Sequence, residues 1–230
     1  MKIGAHISAA GGVSNAPLNA KNFGCECYQF FSRSPQGGEA PELTKEIIKK
    51  FKENNKKFNF KNFYIHAPYY INLASEKNNV YYGSISVLRE ELERGSMLGA
   101  KYLMAHLGSA KDLGRQEALK KVCVGIKKIL TGYTGSTKFL IEISAGAGQV
   151  IGDTFEEIYS IIHNTKPIIQ KNIGVCFDTA HAFESGYDLS SAKAVKKTFD
   201  QFDKIIGLKY LKLIHINDSK TEIGSHVDRH

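Results

Sequence analysis

Short apolar runs recur along the chain, separated by longer stretches with a helical pattern. The runs are KIGAHI (2–7), CYQFF (27–31), NFYIHA (62–67), YLMAHL (102–107), KFLIEI (138–143), IGVCFD (173–178) and YLKLIHI (210–216). They are nearly all apolar rather than alternating, which is the pattern of strands covered on both faces and predicts a parallel sheet. Residues 84–100, 116–130, 154–162 and 191–202 predict helices between those strands. Seven β/α units in series predict either a TIM-type barrel or a large doubly wound sheet. No linker or low-complexity stretch interrupts them, so 1–230 reads as a single α/β domain.

Polar residues break the pattern at one recurring place, the C-terminal end of a strand. These are His66, His106, Glu142, Asp178 and His215, at successive spacings of 40, 36, 36 and 37 residues. In a barrel such positions converge on one mouth, whereas a doubly wound sheet spreads them along an edge. The recurrence favours a TIM (β/α)8-type barrel of which about seven β/α units are present. A lone histidine in an apolar strand is ordinarily a hydrogen-bonded core residue, and Glu142 and Asp178 can be read as paired structural carboxylates. Five in register weigh against that reading, because burying several ionisable groups without a cation or mutual pairing is costly.

Histidine and carboxylate without cysteine is a set suited to zinc, manganese or iron. Glu142, in the middle of the series, can bridge two ions, and paired metals are the usual apparatus for phosphodiester hydrolysis. His181 lies three residues beyond Asp178, where strand should turn to helix. Asp228 and His230, two apart, fall on one face of an extended segment. They are the natural partners of His181 in a third site.

The chain has 230 residues, 42% of them hydrophobic, enough for one sizeable core. Its formal charge of +8 and pI of about 9.2 point to a polyanionic partner such as nucleic acid. Lysines on the outer face of 43–58 offer the alternative of a solvated surface. Cys25, Cys27, Cys123 and Cys176 have no CxxC spacing, and Cys123 and Cys176 fall in core patterns. The N-terminus MKIGAHIS lacks a signal-peptide core, and no 18-residue apolar run exists. A soluble cytoplasmic protein without a membrane partner is expected.

The motifs GAHISAAGG (4–12), IHAPYYINLAS (65–75), MAHLGS (104–109), IEISAGAGQVIG (141–152), CFDTAHAFESGYD (176–188), IHINDSK (214–220) and GSHVDRH (224–230) run the length of the chain. Together they resemble the endonuclease IV family of apurinic/apyrimidinic (AP) endonucleases, trinuclear-zinc TIM barrels of base-excision repair. The resemblance implies that His66 and His106 hold a first zinc and that Glu142 bridges to a second held by Asp178 and His215. It implies a third held by His181, Asp228 and His230, with Glu142 the candidate catalytic residue. It further implies a monomer that cuts double-stranded DNA 5′ to abasic sites, leaving a 3′-hydroxyl and a 5′-deoxyribose phosphate, and that removes 3′-blocking groups.

Tyr69 and Tyr70 match a loop that enters the gap left by the flipped abasic nucleotide. SRSPQGG (32–38) matches a second recognition loop, so Arg33, Ser34 and Gln36 are expected DNA contacts. Ser34 stands where the family commonly has Asn, and Gln36 where it commonly has Arg. The resemblance also implies a further C-terminal unit with one more glutamate ligand, which the 230 residues do not contain. His6 is expected near the site without binding metal, His163 exposed, and His226 in a loop. The glycine-rich 144–152 lacks the Lys-Ser/Thr ending of a phosphate loop. Two other readings are a xylose-isomerase-like sugar isomerase or epimerase, and a non-catalytic DNA-binding remnant.

Overall fold

A computed structural model describes residues 1–230. Its strands are β1 (Gly4–His6), β2 (Cys27–Phe30), β3 (Phe63–His66), β4 (Tyr102–Ala105), β5 (Lys138–Glu142), β6 (Ile173–Asp178) and β7 (Leu211–His215). The helices are α1 (Ala16–Asn22), α2 (Lys45–Lys57), α3 (Asn78–Leu98), α4 (Arg115–Leu130), α5 (Phe155–His163), α6 (Pro167–Gln170), α7 (Thr179–Glu184) and α8 (Ala192–Ile205). The seven strands hydrogen-bond in chain order, β1 to β7, and the β1–β2, β2–β3, β3–β4 and β6–β7 pairs are parallel. A doubly wound sheet reverses its strand order at a switch point. This order never reverses, so the fold is of the TIM-barrel type with seven β/α units.

All seven expected strands form. β3 and β5 are mostly buried and β6 is buried throughout. β1 is exposed and β7 alternates half-buried with exposed, contrary to the two-faced burial their composition suggested. They are the two end strands of the order, each with a neighbour on one side only. The short helices α1, α6 and α7 have no clear periodic signal of their own. The longer α2, α5 and α8 open on side-chain caps, with Thr44, Thr154 and Ser191 accepting from the amides of Ile47, Glu157 and Ala194.

The chain forms two compact units. The first comprises Met1–Tyr70, Val87–Ala105 and Tyr133–Phe139. Its core is aromatic: Tyr28 stacks on Phe63 with ring centroids 5.6 Å apart, and Phe51 meets Phe63 edge-on at 5.3 Å. The Tyr28 hydroxyl donates to Asn55 at 2.7 Å, so the ring is buried without an orphaned polar atom. The second comprises Ile71–Ser86, His106–Gly132 and Leu140–His230. There Phe155 stacks on Tyr187 at 3.8 Å and meets Phe202 edge-on. Gly108 is required in this unit: its φ is +102°, and a Cβ would stand 2.6 Å from the Asn72 backbone.

Candidate metal centre

In the second unit the strand ends carry the chemistry. Glu142 and Asp178 are the last residues of β5 and β6, His215 is the last of β7, and His106 directly follows β4. Both carboxylates are buried. Glu142 Oε1 lies 2.9 Å from His215 Nδ1 and 3.8 Å from His181 Nδ1, while Oε2 lies 3.8 Å from His106 Nε2. Asp178 caps α7 by accepting from the His181 amide at 3.1 Å. Its Oδ2 accepts from Asn217 Nδ2 at 2.6 Å and lies 3.6 Å from His215 Nδ1. A buried acid at a helix N-cap is both fixed and stabilised as the carboxylate.

Ligand-type atoms gather here in three overlapping trios, Glu142–Asp178–His181, Glu142–Cys176–His215 and His181–Asp228–His230, with the atoms of each within 4.8 Å of one another. His181 decides whether a cation fits. Its Nδ1 donates to the Ile143 carbonyl at 3.0 Å, so in the neutral ring it is Nε2 that carries the lone pair. That Nε2 is buried without a hydrogen-bond partner, 3.5 Å from Asp228 Oδ1. The His230 ring stands edge-on at 5.2 Å, and His230 Nδ1 is 3.3 Å from Asp228 Oδ1. An orphaned imidazole nitrogen facing a carboxylate and a second imidazole is a donor set for zinc, manganese or iron.

The electrostatics agree. Burial lowers the affinity of His181 for a proton, but the close approach of Asp228 and the charges of Asp178 and Glu142 overcome it and raise the pKa to about 9. His215 is likewise raised: burial opposes the charge, and the Cys176 sulfur, the Glu142 charge and the nearby Asp178 outweigh it. For Asp178, burial pushes upward and is outweighed by the nearby His215 and the His181 charge, so the carboxyl falls below its ordinary range. The close approach of His181 does the same for Asp228. The cluster is thus short of fixed positive charge and draws protons or cations to itself.

In the first unit His66 ends β3, is 6% exposed, and is paired in register with Met104. Its Nδ1 lies 2.6 Å from the Ala67 carbonyl. Phe31 and Tyr69 flank the ring, at 5.5 and 5.9 Å between centroids. Tyr69 is 67% exposed and Tyr70 37%. The Tyr69 amide donates to the Pro35 carbonyl at 3.1 Å, tying this loop to 32–38, where Ser34 and Gln36 are exposed.

Residues 18–230 match the family described as xylose isomerase-like TIM barrel. A probable endonuclease 4 of Nitrosopumilus maritimus is 39% identical over all of this chain and 82% of its own length. One of Cenarchaeum symbiosum is 38% identical with the same coverage. The chain belongs to the endonuclease IV family. Among solved structures, endonuclease IV from Thermus thermophilus superposes with a TM-score of 0.88 at 31% identity, covering all of this chain and 81% of that one.

Two expectations for this endonuclease IV family member are corrected. Arg33 is no surface DNA contact: its side chain is 4% exposed and is paired with Glu90 and Glu91. Cys123 is half-buried rather than core, because it lies at the margin of the buried face of α4. Cys176 is fully buried as expected, but its sulfur also joins Glu142 and His215, and its thiol is pushed up to about 12 by burial. It stands two residues before Asp178 in β6, and the period of two in a strand was the signal that placed both on one face. Asn217 was missed altogether; its one legible mark is its place two residues after His215. His163 and His226 are exposed, and His6 meets Gln29 at 2.9 Å.

Proposed function

We propose that the chain is a metal-dependent endonuclease that hydrolyses the phosphodiester bond 5′ to abasic sites in double-stranded DNA. It leaves a 3′-hydroxyl and a 5′-deoxyribose phosphate and removes 3′-blocking groups. In this reading His66, His106 and Glu142 hold one zinc ion, Glu142, Asp178 and His215 a second, and His181, Asp228 and His230 a third. Manganese or iron are alternative occupants. Bound cations neutralise the phosphate charge and lower the pKa of water.

The single observation that carries the proposal is the buried Nε2 of His181, which lacks a hydrogen-bond partner and faces Asp228 beside His230. A buried nitrogen left this way is costly unless something else occupies its lone pair. The chain's own residues then divide the work. Glu142 offers one oxygen toward His215 and His181 and the other toward His106, which supports reading it as the catalytic residue. Asn217 and the His181 amide hold Asp178 in one orientation. Tyr69 and Tyr70 present ring faces that can fill the space of a missing base, and Ser34 and Gln36 are the further DNA contacts of this reading. The net charge of +8 supplies non-specific attraction to the phosphate backbone. A cytoplasmic monomer completes the reading.

The test is an incision assay on a duplex with one abasic site, beside an intact duplex and a ketose substrate, with metal content measured in parallel. Cleavage 5′ to the lesion, lost in Glu142→Gln, is expected. Sugar epimerisation instead, or abasic-duplex binding without cleavage at any metal loading, sinks the proposal.

A further inference from the structure

We propose that Glu184 is a positioning residue that holds Asp228 and His230 in place for a cation; the inference rests on the reading of His181, Asp228 and His230 as metal ligands. Residues 217–230 form neither helix nor strand. A segment of that kind keeps a ligand geometry only if something outside it fixes its backbone. Glu184, the last residue of α7, is fully buried. Its Oε1 accepts from Ser219 Oγ at 2.8 Å, from Thr221 Oγ1 at 3.3 Å and from the Arg229 amide at 3.1 Å. The Arg229 amide belongs to the peptide that joins Asp228 to Arg229, the residue between the two proposed ligands, so fixing it restricts the torsions on both sides.

The backbone of the same turn of α7 adds to the grip. The Glu184 carbonyl accepts from the His226 amide at 2.9 Å, and the Phe183 carbonyl from the Gly224 amide at 3.0 Å. Lys220 N–H closes the segment on itself by donating to the Arg229 carbonyl at 3.0 Å. One six-residue helix therefore begins at the Asp178 cap, presents His181 one turn later and ends in the carboxylate that grips the strip carrying Asp228 and His230.

A purely stabilising role explains Glu184 poorly. Its hydrogen-bond partners are neutral, and its Oε2 is buried with no partner. A buried carboxylate so placed is an expensive way to stabilise a fold. What it does achieve is local order in a segment that belongs to no helix or strand.

The experiment compares Glu184→Ala, Glu184→Gln and the double variant Ser219→Ala/Thr221→Val with His181→Ala, all in the full chain. Two quantities are read: zinc retained per chain against a chelator, and hydrogen exchange of residues 219–230 in metal-free protein. Glu184→Ala should release the ion that His181→Ala loses roughly 10–100-fold more readily, while the other ions stay. Exchange at the Arg229 amide should accelerate. Glu184→Gln keeps an acceptor at Oε1 and should restore most of both. The double variant keeps the carboxylate and removes two donors, so it carries the test if Glu184→Ala does not fold, and it should weaken retention of the same ion. If His181→Ala loses an ion but the double variant and Glu184→Ala retain it with unchanged exchange, the positioning role is wrong and the metal site stands. If His181→Ala loses no ion, the metal reading falls and takes this inference with it.

Discussion

Two buried clusters of charge in this molecule are solved in opposite ways. In the first unit Glu91, wholly buried on α3, meets the guanidinium of Arg33 at 2.8 Å and Ser32 Oγ at 2.7 Å. Arg94 lies 3.4 Å from Glu91 and donates to Ser32 Oγ, the Ser32 carbonyl and the Pro41 carbonyl at 2.8–2.9 Å. The carboxylate there is closed by guanidiniums, which do not titrate. In the second unit Glu142, Asp178 and Asp228 are faced by imidazoles, which do. The first cluster is finished by the fold and pins the 32–41 loop. The second is faced by titratable groups, and that difference marks it as the candidate functional site beside a closed structural network.

The largest effect is expected where the finished cluster is broken. Glu91→Ala leaves two buried guanidiniums short of a partner, and removing one member of such a network costs about 3–5 kcal/mol. Urea unfolding measures it, and a loss below about 1 kcal/mol would mean that Arg33 and Arg94 find other partners.

The second cluster should respond to pH where the first does not. The pKa of His181 is raised from 6.5 to about 9, so in metal-free protein its contribution to stability is complete below pH 6.5 and is lost as pH rises through 9. Asp178 and Asp228 have lowered pKa values, so their contribution is present above the ordinary carboxylate pKa of 3.8 and is lost as pH falls below it. Denaturant titrations with chelator should therefore show stability declining from pH 6.5 to 9. Saturating zinc should abolish that decline, because a bound imidazole is already unprotonated. A flat profile in chelator breaks the contrast.

A smaller effect separates recognition from chemistry. Replacing Tyr69 and Tyr70 with Ala should cost roughly 1–3 kcal/mol per stack in binding abasic duplex, with little change on intact duplex or in zinc content. Equal losses on both duplexes would remove these tyrosines from gap recognition. The smallest change is expected at the solvent-exposed pair of Lys196 and Asp200, 2.6 Å apart on α8. Asp200→Asn should shift stability by less than about 0.5 kcal/mol, the control that ties the earlier effects to burial rather than to charge alone.

Much of this was legible along the chain because it depends on short-range regularities. The two-faced apolar strands and their 36–40-residue recurrence announced β3 to β6, and the ligand-type residues at strand ends came with them. The i, i+2 spacing of Asp228 and His230 marked them as a pair. Arg33 was misread because its neighbours Glu90 and Glu91 are nearly 60 residues away, and nothing local signals that a basic loop residue will be consumed by them. Cys176 was read as core for the same reason that any apolar-flanked cysteine is, and only the approach of Glu142 and His215 gives its sulfur a second character.

The sequence by itself determined the type of fold, through the order and periodicity of its elements, and the residue types available for chemistry. Only the tertiary structure decided how those residues are compensated. Burial, tautomer and charge balance depend on partners 35 to 80 residues distant, as with His181 and Ile143, Glu142 and His215, or Glu184 and Arg229. Electrostatic energy falls with distance in space and not along the chain, so whether a carboxylate is neutralised for good or left waiting for a cation is a property of the folded state.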